Sequence, residues 1–263
     1  MHRLAGALVL TPWLRVYCSL AARELVKLAN ALRASTILLP LPAEREGALE
    51  EYLRGSLRLS DLVAALRAAS PASSAYASME PILASLRGVA RLGASIRCYG
   101  SLSAESRRVG ALVSLLSLVA ALRAHGRVGA ERVMHTLSEY ARAIGGEGRR
   151  ETERVLRIVA SVRGPWIVVA GLGGRSMLGA LRRLGPVRVV YAAPYVFTPL
   201  ERLIRLHATR GVGLDEALEL LREHADFLWG YVRTSRDASE GYRRWLRDKY
   251  PDVYSRLISK LYQ

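Results

Sequence analysis

Five short apolar runs along the chain have the pattern of β-strands. Each is about four to eight residues long and nearly continuous in apolar residues, which is typical of strands covered on both faces. The pattern predicts a mainly parallel sheet of about five strands. The runs are Leu4–Leu10, Thr36–Leu39, Ser95–Tyr99, Trp166–Ala170 and Val187–Ala192.

Helical patterns fill the intervals between these runs. Helix-spaced apolar residues occupy Leu20–Leu32, and Ser60 is placed to cap a helix through Leu66. A third pattern, from Val133 to Ile144, meets Gly145-Gly146, which we expect to end that helix. A further helix precedes Gly164-Pro165. Because strands and helices alternate, the fold class is predicted to be α/β with helices on both faces of the sheet.

The C-terminal quarter changes to helical patterns alone. Thr198-Pro199-Leu200-Glu201 has the residues of a helix start, with a Thr cap, a Pro in the first turn and a Glu three residues after the cap. We expect an α/β domain over 1–196, with helical insertions at about 45–92 and 105–160, and a helical appendage over 197–263. The predicted appendage helices are Leu200–Ala208, Leu214–Ala225, Phe227–Val232 and Val253–Leu261.

Composition excludes an intrinsically disordered protein and a disulfide scaffold, and it bears on how the net charge is interpreted. With 263 residues and 51% hydrophobic residues the chain is not intrinsically disordered, and two cysteines, Cys18 and Cys98, cannot form a disulfide scaffold. The net charge is +16, but 36 of the 39 basic residues are arginine, and Asn30 and Gln263 are the only side-chain amides. Such a composition indicates a hyperthermophilic, archaeal-like source, so much of the positive charge is expected to be background.

No apolar run reaches the roughly 18–20 residues that cross a bilayer. The longest, Val109 to Leu122, contains two serines and a glycine. Pro12 and Arg15 interrupt the apolar start, and no signal-peptidase site follows. We therefore expect a cytoplasmic protein without a membrane span.

The most informative segment for function follows the fourth apolar run. A glycine-rich turn, Gly171 to Gly174, leads into a predicted helix through Leu184, and residues 164–196 contain four arginines and no acidic residue. Glycines let a ligand approach the backbone, and helix N-terminal amides attract anions. The segment predicts an anion- or nucleotide-accepting site; the alternative is a tight turn with solvated arginines. The candidate ligand-binding residues are Gly171, Gly173, Gly174, Arg175, Ser176, Arg182 and Arg183.

Other chemistry has little support in the sequence. Glu131, His135 and Glu139 share one helix face and form a candidate metal set, with a solvated polar stripe as the alternative. His224 lies on an acidic helix and is expected to be exposed, while Cys98 falls in a predicted strand and is expected in the core. No G-x-S-x-G motif occurs, and no cofactor is predicted. These observations favour a protein that is not an enzyme.

Nucleic acid or a nucleoprotein is the third kind of partner considered. In the C-terminal region, aromatic residues from Trp229 to Trp245 alternate with arginines, as on a surface that stacks bases. Aromatic residues at helical spacing are also typical of a core. A basic structural subunit, or a homo-oligomer, therefore stays an alternative.

The order of these elements resembles the TraB/PrgY and TIKI-type families, which are related to ChaN and the erythromycin esterases. Those families carry a G-T-x-H-like turn, an E-L-[DP]-x-x-R-like motif and a G-x-G-H-like turn. The corresponding segments begin here at Thr11, Pro40 and Gly171. Leu14 or Arg15, Pro40 and Gly174 stand where the family has ligating residues. The resemblance therefore implies a degenerate, non-catalytic relative of a metal-dependent hydrolase.

The same glycine-rich segment, Ala170 to Met177, also resembles the G-G-x-[KR]-x-M turn of CRISPR-associated CARF domains. Those domains sense cyclic oligoadenylates and often carry a C-terminal helical effector. This resemblance implies a nucleotide-sensing regulator of a defence system. Both resemblances direct attention to the turn after the fourth strand.

Overall fold

The computed structural model describes residues 6–68, 70 and 73–262. Its five strands are β1 Gly6–Leu10, β2 Thr36–Pro42, β3 Ser95–Gly100, β4 Trp166–Ala170 and β5 Val187–Tyr191. They form one all-parallel sheet in the order β3-β2-β4-β1-β5. The predicted α/β class and all five predicted strands are confirmed, although Leu4 and Ala5 lie outside the described residues.

Helices make up most of the remaining described chain. Beside the α-helices there are 3₁₀-helices at Ala43–Arg45 and Leu172–Met177 and a π-helix at Leu228–Val232. The helix at 238–249 was not among the predicted ones. The α-helices are α1 Arg15–Leu32, α2 Glu46–Arg54, α3 Leu59–Ala68, α4 Ser73–Arg91, α5 Leu102–His125, α6 Ala130–Ser161, α7 Leu178–Arg182, α8 Pro199–Arg210, α9 Leu214–Phe227, α10 Ala238–Lys249 and α11 Pro251–Tyr262.

The chain divides into two compact units at points that differ from the predicted domain boundary. Unit 1 comprises the described residues up to Ser106 together with Glu147–Ala193, and unit 2 comprises Arg107–Gly146 and the described residues from Pro194 onward. Residues 107–146 therefore belong with the C-terminal helices. The reason is a shared apolar core, in which Leu115 and Leu118 of α5 and Leu137 of α6 cluster with residues of α8 and α9.

Helix α6 corrects the prediction that Gly145-Gly146 ends a helix. It runs without a break from Ala130 to Ser161. A glycine ends a helix by adopting a positive φ, and neither of these glycines does so. Buried positions also continue beyond them, at Val155 and Val159, so tertiary packing holds the helix together where local propensity weakens it.

The two predicted helix starts have different outcomes. At Thr198 the prediction is confirmed: its Oγ1 accepts a hydrogen bond from the Glu201 amide, and the Glu201 carboxylate accepts one from the Thr198 amide. Ser60 is not a cap, because α3 already begins at Leu59. The Ser60 hydroxyl donates instead to the neighbouring Asp61 carboxylate.

The core of unit 1 lies on both faces of the sheet. One face of the central strands buries Leu8, Trp166 and Val168 beneath Val155 and Val159 of α6. The intervening strand residues are buried as well, which is the reason that the apolar runs show no alternation. Packing is tightest at Gly6, where a Cβ would overlap the Trp166 ring.

A chain of aromatic contacts ties the start of the C-terminal segment of unit 2 to its last helices. The rings of Tyr195 and Tyr242 stack with centroids 5.1 Å apart, and Trp245 packs edge-on against Phe227 at 5.2 Å. The Tyr242 hydroxyl donates to the Val196 carbonyl at 2.7 Å. These aromatic side chains form the interior of the C-terminal helices.

Helix α5 is the one helix in the described ranges that is long and apolar enough to cross a membrane by length and composition. Its most apolar 18 residues have a mean hydropathy of 1.4, and 22% of them are buried. The apolar run alone predicts no such segment, because Val109 to Leu122 is shorter than the helix. The same helix places Leu115, Leu118 and Val119 in the core of unit 2.

His224 corrects another prediction, because it is buried rather than exposed. Only 5% of it is accessible, it stacks on Phe227 with ring centroids 5.5 Å apart, and its Nδ1 atom has no hydrogen-bond partner in the described structure. Desolvation lowers the pKa of His224 from 6.5 to about 4. The neighbouring Glu223 and Asp226 suggested exposure, but those two side chains occupy solvent-facing positions of α9 while His224 does not.

We expect the stability of unit 2 to depend on this histidine in mildly acidic solution. Between pH 6.5 and about 4 the unfolded chain binds a proton at His224 that the folded chain does not. The free energy of unfolding should therefore fall by roughly 3 kcal/mol as the pH is lowered through that range. Denaturant titrations of the wild type and His224→Leu should show a difference that changes with pH. Parallel curves would contradict this assignment.

Candidate ligand-binding site

The glycine-rich turn lies at the carboxyl end of β4, as predicted, but it does not open a long helix. Leu172–Met177 form a 3₁₀-helix, and α7 adds five residues that end at Arg182 instead of Leu184. A macrodipole requires many aligned peptide units, so this short helix contributes little to anion attraction. Any ligand at the turn must be held by its side chains and its exposed backbone.

The three glycines of the turn have three different surroundings. A Cβ at Gly174 would overlap the Cβ of Ala170, so this glycine is required by packing. At Gly171 the space is filled by Trp13, whose Nε1 would lie 3.0 Å from a Cβ. Nothing lies within 4 Å of a Cβ at Gly173. Only Gly173 therefore leaves open space at the backbone.

Arg175 and Ser176 both lie on the exposed side of the turn. The Arg175 Nη1 group donates to the Tyr191 hydroxyl at 2.8 Å, and the Ser176 hydroxyl donates to the Gly173 carbonyl at 2.9 Å. Tyr191 ends β5, so this hydrogen bond places the guanidinium at the carboxyl edge of the sheet. Because the Tyr191 hydroxyl is neutral, this hydrogen bond does not compensate the positive charge of Arg175.

Of the predicted site residues, Arg182 ends α7 and Arg183 follows it, so both lie beyond the turn in the chain. The rise per residue is about 2.0 Å in a 3₁₀-helix and 1.5 Å in an α-helix, so Arg182 lies roughly 12 Å beyond Arg175 along the helical axis. Both side chains are exposed. They form a separate cationic surface near the start of β5.

The turn faces the loop that follows β1, and the strand order explains why. The chain leaves β1 toward β2 and leaves β4 toward β5, so two adjacent strands send their connections in opposite directions. From the usual right-handed crossovers we expect α1 and α7 on opposite faces, with a crevice between the two strand ends. Thr11, whose amide donates to the Ala170 carbonyl at 3.0 Å, and Trp13 form the other side of this crevice.

A polar network at the same edge was missed from the sequence. On α4, Glu80 forms an ion pair with Arg15 at 2.6 Å, and one turn earlier the Tyr76 hydroxyl binds the Glu105 carboxylate. The Ser70 hydroxyl also donates to Glu105, at 2.6 Å. Burial and the nearby Glu105 raise the pKa of Tyr76. The spacing of Tyr76 and Glu80 was a visible signal, but their partners lie 29 and 65 residues away.

Both cysteines are buried and unpaired. Desolvation by burial raises the pKa of each thiol to about 12, and nearby Glu46 adds to the effect at Cys98. The expectation that Cys98 is a core residue is confirmed. At neutral pH neither side chain forms the thiolate that nucleophilic chemistry requires.

The candidate metal residues occupy the solvent-facing side of α6. Glu131, His135 and Glu139 are all exposed, and Glu139 forms an ion pair with Arg142. In the described part of the chain no three metal-ligating side chains come together. The arrangement matches the solvated polar stripe that was the alternative interpretation.

The aromatic residues proposed as a stacking surface are only partly available. Tyr242 and Trp245 are buried in the C-terminal core, whereas Trp229 and Tyr231 are half-buried. Arg244 binds the Thr234 carbonyl at 3.1 Å and so has a local structural role. The C-terminal region therefore offers fewer stacking groups than its sequence suggested.

Compared with protein-family models, with curated proteins and with solved structures, the chain matches none of them. The two resemblances described above thus rest on the quoted motifs alone. Structurally, the segments that carry them follow β1 and β4, and Pro40 lies inside β2.

The different surroundings of the glycines give a direct test of the turn. Gly174→Ala should lower the free energy of unfolding by about 1–3 kcal/mol, because its Cβ has no room beside Ala170. Gly173→Ala is the matched control and should be neutral or slightly stabilising, since the position is open and the backbone is helical. Chemical denaturation of both variants measures the difference. Equal losses would show that the turn is packed differently.

Proposed function

We propose that unit 1 is a non-catalytic module that binds a nucleotide-type ligand in the crevice between the carboxyl ends of β1 and β4. The single observation that carries the proposal is topological. In open parallel sheets ligands bind at the carboxyl ends of adjacent strands that send their connections in opposite directions, and the glycine-rich turn lies at one such point.

The side chains at the crevice suit the two halves of a nucleotide. Trp13 is half-buried beside Gly171, so the accessible part of its ring is a candidate platform for a base. Arg175 supports the phosphate end, because a guanidinium matches phosphate geometry and its present partner is a neutral hydroxyl. Gly173 leaves room for a phosphate oxygen at the backbone.

Local charge supports the same class of ligand. The segment that forms the turn, α7 and β5 carries four arginines and no carboxylate over residues 164–196. Elsewhere many exposed arginines pair with acids, as Arg58 does with Asp61 and Arg210 with Glu216. An anionic ligand therefore meets no competing carboxylate within this segment.

The non-catalytic part of the proposal rests on residue types. The resemblance to the TraB/TIKI-type families places metal or catalytic ligands at positions that are here Leu14 or Arg15, Pro40 and Gly174. Arg15 is engaged by Glu80, and Gly174 is fixed by packing. Without such ligands a metal-activated water has no support at this edge. The CARF resemblance suggests a cyclic oligoadenylate as the specific nucleotide.

A second candidate function, docking on nucleic acid, is favoured by the surface beyond the turn. Arg182, Arg183 and Arg188 are exposed and form no ion pair among the residues that the structure describes. Because they are exposed and lie outside the turn, they suit a phosphate backbone better than a small ligand. In that case, binding should weaken steeply with salt, and Arg182→Glu/Arg183→Glu should reduce the salt slope.

Calorimetric titration with ATP and with cyclic tetra-adenylate tests the proposal. Arg175→Gln should weaken binding by about tenfold, because it removes a charged hydrogen bond to phosphate. Trp13→Leu should weaken binding by about tenfold through lost stacking. Arg183→Gln is the matched control, equal in charge change but distant from the turn, and should leave the dissociation constant within about twofold.

The outcomes separate the alternatives. Binding of the cyclic compound but not ATP would select the sensor interpretation. Absence of saturable binding by either compound, or an equal effect of Arg183→Gln and Arg175→Gln, would contradict a site at the turn.

A further inference from the structure

We propose that unit 1 has a second, separate anion site, a pocket between the C-terminal ends of α2 and α4 that binds a phosphate-type anion. The pocket has a volume of about 370 Å³, within the range of small-ligand sites. It is lined by Leu53, Arg54, Gly55, Arg87, Ala90 and Arg91. Three guanidinium groups and no carboxylate therefore surround one cavity.

Arg87 is held in position before any ligand arrives. Its Nε donates to the Tyr52 carbonyl at 2.8 Å and its Nη2 to the Leu57 carbonyl at 2.7 Å. Its guanidinium also lies 4.2 Å above the Tyr52 ring. Only part of the five N–H donors of an arginine are used in these contacts. A fixed guanidinium with spare donors loses little conformational entropy on binding an anion.

Helix C-termini ordinarily repel anions, but at α2 the responsible carbonyls are already satisfied. The Gly55 amide donates to the Tyr52 carbonyl at 3.0 Å, and the Ser56 amide donates to the Glu51 carbonyl at 3.0 Å. Gly55 reaches this geometry through its positive φ of 92°. Together with Arg87 these bonds close the negative end of the helix. The net field in the pocket is then set by the three arginines.

Arg54 and Arg91 come from different helices and complete the site. Arg91 is exposed and has no ion pair among the described residues. Arg54 has one weak partner, Glu50 of its own helix, at 3.5 Å, and its side chain is 70% exposed. A phosphate group can replace this weak pair and offset the repulsion among three like charges.

The pocket is independent of the crevice at β1 and β4. Arg91 ends α4, and β3 begins four residues later at Ser95, so the pocket is near the amino-terminal edge of the sheet. The crevice is at the opposite, carboxyl edge. The two sites therefore share no residue, and substitutions can test them separately.

Titration calorimetry of the full chain with inorganic pyrophosphate at low ionic strength tests the pocket. We expect saturable binding that Arg91→Gln weakens by about tenfold and Arg54→Gln/Arg91→Gln by roughly a hundredfold, each through a lost charged hydrogen bond. Arg67→Gln is the matched control, because Arg67 is exposed on α3, outside the pocket, and forms no ion pair in the described ranges. It should leave the affinity within about twofold. Circular dichroism confirms that each variant is folded.

A second comparison keeps this proposal distinct from the nucleotide site. Arg175→Gln should leave pyrophosphate binding in the pocket unchanged. If Arg175→Gln removes the binding while Arg54→Gln/Arg91→Gln does not, the pocket assignment is overturned and the anion belongs to the turn. The pocket assignment is also overturned if Arg67→Gln weakens pyrophosphate binding as much as Arg91→Gln does, or if pyrophosphate shows no saturable binding.

Discussion

In the sheet β4 lies between β1 and β2, although α1 to α6 separate β4 from β1 in the chain. The packing of unit 1 depends on this central position of β4. A strand with neighbours on both sides and helices on both faces must be apolar throughout, as Trp166–Ala170 is. Its first residue, the fully buried Trp166, packs over Gly6 of β1, where no larger residue fits. The central pairing of β4 with β1 therefore fixes the register of the sheet and closes the core.

The same pairing determines where a ligand is expected. By placing the ends of β1 and β4 side by side, with connections that leave in opposite directions, it positions Trp13 beside the glycine-rich turn. Among the residues that give the net charge of +16, we propose anion-binding roles for Arg175 at this crevice and for the three arginines of the pocket at the other edge. Exposed arginines elsewhere, such as Arg58, are paired with acids and contribute little to anion binding.

How much was predictable from the sequence depended on the range of the interactions. Apolar runs gave all five strands, and the Thr198 capping box gave a helix start, because both patterns are local. The prediction that a helix ends at Gly145-Gly146 was wrong, because tertiary packing stabilises α6 across these two residues of low helix propensity. The prediction that His224 is exposed was wrong, because its charged neighbours face solvent while its own ring packs on Phe227. The pocket could not be predicted, because Arg54 and Arg87 meet only through the packing of α2 and α4.

Amide hydrogen exchange shows directly whether a nucleotide binds between the ends of β1 and β4. With saturating ATP or cyclic tetra-adenylate, we expect slower exchange in peptides covering 11–15 and 171–176, with no change in peptides covering 53–57 and 87–91. Protection confined to other segments, or unchanged exchange in both crevice peptides under saturation, would rule out binding at this position.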